Sequence, residues 1–151
     1  MSEGRLVHIL LVEDNEGDIV LAQKAFEDFK TPKKMHIARD GETALNMLTK
    51  SDEYEDLPEM DLILLDINLP RIDGPEVLQR IKNDPALSLI PVVMLSSSTN
   101  PKDILKSYEC QASSYIVKAQ GLKEFKKIAQ AVEICWFRKV GGDFVDQVSS
   151  S

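Results

Sequence analysis

The 151-residue sequence predicts one doubly wound α/β domain, a five-stranded parallel sheet with five helices. Three observations predict it. Short runs rich in Val, Ile and Leu recur along the chain, each too brief for a helix and apolar at consecutive positions, the habit of strands covered on both faces. Apolar residues at helical spacing fill the intervals between them. The two patterns alternate five times.

The first run is Val7-His8-Ile9-Leu10-Leu11-Val12, followed by a helical stripe of Ile19, Ala22, Phe26 and Phe29. A weaker run, Met35-His36-Ile37-Ala38, precedes a helix from Gly41 to Leu48 that carries Ala44, Leu45 and Leu48. The next, Leu62-Ile63-Leu64-Leu65, precedes a helix with Pro75 at its first position and Val77, Leu78 and Ile81 on its apolar face. Pro91-Val92-Val93-Met94-Leu95 leads to a helix opened by Asn100 as N-cap and Pro101. Tyr115-Ile116-Val117 leads to the last helix, Leu122 to about Val140, striped by Phe125, Ile128, Ala129, Val132 and Trp136. Ser51 to Asp61 holds six acidic residues in eleven and reads as a solvated loop. The domain is expected to occupy residues 1–140, with 141–151 as a flexible tail.

Composition narrows the function. Eighteen basic against twenty-five acidic residues give a net charge of −7, which argues against a binder of nucleic-acid phosphates. The longest nearly apolar stretch, Leu87 to Leu95, is far too short to span a bilayer, and the first residues lack a secretion signal. Cys110 and Cys135 form neither a metal-ligand spacing nor a disulfide framework. A cytoplasmic location is the expectation.

The chemistry collects at the strand ends. Val12 is followed by Glu13 and Asp14, Leu65 by Asp66, Leu95 by Ser96 and Val117 by Lys118. In an open parallel sheet the ligand site lies at the carboxyl ends of the strands, so three carboxylates, a hydroxyl and an ammonium converge on one edge. Clustered carboxylates repel one another unless a cation joins them, and oxygen-only ligands suit Mg²⁺. With a hydroxyl and a lysine beside it, such a site can stabilise a transferring phosphoryl group, and one carboxylate can itself be the nucleophile.

Val12-Glu13-Asp14-Asn15, Leu64-Leu65-Asp66-Ile67-Asn68-Leu69-Pro70 and Asp73-Gly74, with Ser96 and Lys118 at separations of 30 and 22 residues, resemble the receiver domain of two-component response regulators. The resemblance covers roughly residues 5 to 140 and implies a flavodoxin-like fold. It implies that Asp66 accepts a phosphoryl group from a sensor histidine kinase, and that Asp14, Asp66 and the backbone carbonyl of Asn68 ligate Mg²⁺, with Glu13 acting through water. Lys118 would pair with Asp66 and then with a phosphoryl oxygen. Ser96 would bond another phosphoryl oxygen, and Tyr115 would swing between outward and buried positions as the switch aromatic. One departure from the family pattern is Ala119, where a proline usually follows the lysine. Asp103-Ile104-Leu105-Lys106-Ser107-Tyr108, the acidic loop before Asp61 and Trp136-Phe137 further resemble the single-domain response regulators of cyanobacterial phytochromes, which form homodimers through the last helix. Ile134 and Phe137 fall outside that helix's apolar stripe and are the candidate dimer face.

His8, His36 and both cysteines read as packing residues. The expected function is a phosphorylation-controlled switch that works by protein contact, with self-dephosphorylation but no enzymatic role. The alternative is a receiver-like binding module indifferent to phosphorylation. An aspartyl-phosphate phosphatase is disfavoured, because Asn68 stands where that class has a second acid and the chain has no length for a cap.

Overall fold

Uniformly apolar segments can be satisfied only by cover on both sides, and the sheet provides it. The computed structural model describes residues 6–30, 32–96, 114–117, 122–123, 125–127 and 129–130. Five parallel strands, β1 (Val7–Val12), β2 (Lys33–Ala38), β3 (Leu62–Asp66), β4 (Val92–Ser96) and β5 (Ser114–Val117), stand in the order β2-β1-β3-β4-β5. Consecutive side chains point to opposite faces. Ile9, Leu11, Leu62, Leu64, Val93 and Leu95 therefore meet Ile19, Ala22 and Phe26 on one side, together with Phe125 and Ala129 of the last helical segment. Leu10, Val12, Ile63, Leu65, Val92 and Met94 meet Ala44, Leu48, Val77, Leu78 and Ile81 on the other. The helix expected to open at Asn100 lies outside the described residues.

Three described helices begin on side-chain caps, each satisfying an otherwise orphaned backbone donor. Asn15 accepts the Asp18 N–H at the start of α1 (Glu16–Ala25), Asp40 the Thr43 N–H at α2 (Gly41–Leu48), and Asp73 the Glu76 N–H at α3 (Gly74–Asn83). Pro75 is thus the second helical residue, not the first, a position where its missing N–H still costs no intrahelical bond. The stripe that continues to Phe29 does so by a change of helix: α1 ends at Ala25 and Phe26–Asp28 tighten into a 3₁₀ turn, keeping Phe26 and Phe29 buried.

The acidic segment 51–61 is solvated at Glu53, Glu55, Asp56 and Glu59, as expected, but it is also anchored to the core. Asp52–Tyr54 form a 3₁₀ turn, Tyr54 and Leu57 pack on the core, and Met60 and Asp61 are buried. Asp61 joins the segment to β1, accepting the His8 N–H at 2.9 Å while its own N–H donates to the His8 carbonyl at 2.7 Å.

His8 and His36 meet diagonally across the β1–β2 pair, Nδ1 to Nε2 at 3.1 Å, so one ring nitrogen donates and the other accepts. Burial of His36, with smaller contributions from His8 and Lys34, holds its pKa below the ordinary 6.5. The unfolded chain then binds a proton that the folded chain refuses. Stability is full above pH 6.5 and declines as pH falls through the lowered value. Urea midpoints at pH 7.5 and pH 5.5 are expected to differ more in the wild type than in His36→Gln, and equal differences would refute this account.

Candidate functional site

The strand order reverses direction at β1, whose two neighbours are β2 and β3, and this opens a crevice beyond the carboxyl ends of β1 and β3. Val12 is in register with Ala38 on one side and Leu65 on the other, so the residues that follow Val12 and Leu65 emerge together. Those residues are Glu13, Asp14 and Asp66. Each places a carboxylate oxygen so that all three lie within 4.8 Å of one another.

Local bonding holds them there. The Glu13 N–H continues the ladder to the Ala38 carbonyl at 2.9 Å, and its side chain, fully buried, accepts the Asn15 N–H at 3.2 Å. Asn15 in turn caps α1, so Glu13 and Asp14 are spanned between a strand end and a helix start. Asp14 is exposed, which leaves the group open to an ion arriving from water. Asp66 ends β3 with 2% of its surface exposed, and its Oδ1 accepts the Asn68 N–H at 3.2 Å. The Ile67 N–H donates to the Leu95 carbonyl and the Ile67 carbonyl accepts the Gly74 N–H, both at 2.9 Å. Gly74 is required by proximity: a β-carbon there would overlap the Asp66 carbonyl oxygen and stand 2.7 Å from Ile67 Cα. The first turn of α3 thereby rests directly on the backbone that carries Asp66. Gly74 is not among the expected site residues; its only sequence signal is the Asp73-Gly74 pair, and the contact that demands it appears only once the 67–73 segment folds back on Asp66.

The remaining expected residues fall as follows. Ser96 is the last residue of β4, one register step beyond the Asp66–Leu95 pair, and stands opposite Val117. Tyr115 lies in β5 beside Met94. Lys118, Ala119, Ile134 and Phe137 lie outside the described residues. Two exposed arginines are ion-paired, Arg39 with Glu16 and Arg71 with Glu42.

The donor set is all oxygen and all anionic, which fits a hard divalent cation and leaves room for water or a phosphate oxygen. The comparison with known families agrees: the model of the response regulator receiver domain matches residues 9–130. The chain belongs to that family. Receivers act as signalling switches rather than as enzymes with turnover, and they bind a divalent cation. Response regulator Rcp1 of Synechocystis sp. is 42% identical over 132 residues, 87% of this chain and 90% of Rcp1. Rcp1 solved with Mn²⁺ bound superimposes with a TM-score of 0.77 over 86% of this chain and 94% of that one. The phosphorylated cyanobacterial phytochrome response regulator RcpA is 44% identical, with a TM-score of 0.79 over 87% of this receiver and 94% of RcpA. Among the described residues no helix is long and apolar enough to cross a membrane.

Proposed function

We propose that this receiver is a phosphorylation-controlled response regulator in which Asp66 accepts a phosphoryl group from a phosphohistidine of a phytochrome-type sensor histidine kinase. The observation that carries the reading is the meeting of Glu13, Asp14 and Asp66 carboxylates at one strand edge. An Asp66 oxygen attacks phosphorus, the phosphorus–nitrogen bond to the imidazole breaks, and the group remains as a mixed anhydride. Asp14, Asp66 and the Asn68 carbonyl would hold Mg²⁺, with Glu13 engaged through water; when bound, the ion neutralises charge on the phosphoryl oxygens. Lys118 and Ser96 would each take a phosphoryl oxygen, and Tyr115 would follow the loop after β4. Likeness to RcpA and Rcp1 over nine-tenths of their length supports the pathway.

The working unit is residues 1–140, with 141–151 as a tail, acting in the cytoplasm by contact between proteins and dimerising through Ile134 and Phe137. The net charge of −7 speaks against a nucleic-acid target. Intact mass after incubation with acetyl phosphate tests the reading. One phosphoryl group, about 80 Da, is expected with Mg²⁺ and absent without it. No adduct either with acetyl phosphate or with a phosphorylated partner kinase would favour the phosphorylation-independent binding module instead.

A further inference from the structure

The segment between β3 and α3, residues 67–73, is gripped from two directions. Its ends are fixed where the Ile67 N–H meets the Leu95 carbonyl and where Gly74 packs on Asp66. The second grip comes from α2, which contributes no residue to the acidic site. Gly41, the first residue of α2, is buried, and a β-carbon there would overlap the Ile72 carbonyl oxygen and stand 2.8 Å from Val77 Cγ2 and 3.0 Å from Ile72 Cβ. The next residue, Glu42, pairs with Arg71 at 3.4 Å.

We infer that the amino terminus of α2, through Gly41, positions the 67–73 segment and so sets the cation affinity of the acidic site. This rests on the proposed role of the Asn68 carbonyl. Helix α2 is anchored by buried Ala44, Met47 and Leu48 and by the Asp40 cap at 2.7 Å. The segment facing it carries no regular structure, so crowding at Gly41 displaces Ile72 and not the helix. Between Ile72 and Asn68 the chain has little freedom to absorb that push. Pro70 has its φ locked by its ring, and Arg71 is held at φ 68°, a left-handed conformation that long side chains rarely adopt. An exposed pair such as Arg71–Glu42 adds little stability, but it ties this strained residue to the same helix end. Gly41 is therefore a positioning residue, acting on the ion through Ile72 and Asn68.

Mn²⁺ binding to the full chain, followed by the electron paramagnetic resonance of the free ion, tests this without recourse to phosphorylation. Gly41→Ala is expected to weaken binding about ten-fold or more, the range seen when groups supporting metal ligands are changed. Ala44→Gly, a destabilising change in the same helix that adds no atom against Ile72, is expected to lower the melting temperature and leave Mn²⁺ affinity as it was. The pair E42Q with R71Q leaves net charge unchanged, and as a surface change it keeps the test alive should Gly41→Ala not fold; its expected result is several-fold weaker binding. Wild-type affinity in Gly41→Ala or, where that variant does not fold, in the double variant overturns the inference, as does an equal loss in Ala44→Gly. A wild type that binds no Mn²⁺, or binds it as well in Asp14→Asn, overturns the reading of the acidic site and this inference with it.

Discussion

Asp66→Asn is expected to abolish phosphorylation by acetyl phosphate, leaving a single unmodified mass with or without Mg²⁺. The amide oxygen is a far weaker nucleophile than a carboxylate, and the site loses one anionic ligand. The substitution is otherwise nearly isosteric. Asp66 uses Oδ1 to accept the Asn68 N–H at 3.2 Å, and an asparagine carbonyl oxygen can accept the same bond. The backbone contacts with Leu95 and Gly74 do not involve the side chain. Loss of the adduct with an unchanged circular dichroism spectrum therefore isolates the chemistry from the fold. An adduct that survived in Asp66→Asn would move the acceptor to another carboxylate, with Asp14 the exposed candidate beside it.

How much of this was legible in the sequence depended on whether the deciding contact was local. Strands β1, β3 and β4 announce themselves because burial on both faces leaves them almost wholly apolar, as at Leu62–Leu65. Strand β2 is harder to read, since it lies at the sheet edge and carries Lys33 and Lys34 where neighbours are missing. The caps are local too, although Pro75 draws the expected helix start one residue past the one that Asp73 caps. The meeting of Glu13, Asp14 and Asp66 follows from a topological rule applied to strand ends, so a long-range site could be anticipated from short-range patterns. Three features could not. The acidic run 51–61 conceals Met60 and Asp61, whose burial depends on β1 and not on their charged neighbours. The His8–His36 contact depends on the register between β1 and β2. Gly41 looks like any glycine after an aspartate, and only the approach of Ile72 from a different loop shows what a side chain there would meet.

Asp14→Asn is expected to reverse its effect on stability when Mg²⁺ is added. Without the ion, three carboxylate oxygens within 4.8 Å oppose one another across the crevice. Two like charges about 4 Å apart repel by about 1 kcal/mol in bulk water and by more near a protein surface. Asp14 is exposed, so its neutralisation leaves no buried charge uncompensated, and relief of repulsion governs. The variant should then melt higher than the wild type in chelator, by about 2–4 °C for each kcal/mol relieved in a domain of this size. With Mg²⁺ the order changes. An ion that binds only the folded state stabilises by RT ln(1 + [L]/Kd), about 2.7 kcal/mol at one hundred times Kd, and a site lacking one of its anions gains far less. Melting curves of both proteins in chelator and in excess Mg²⁺ should therefore cross. A variant that melted lower than the wild type under both conditions would mean that Asp14 serves the fold, not the ion, and that the clustered charge is held by contacts within the chain.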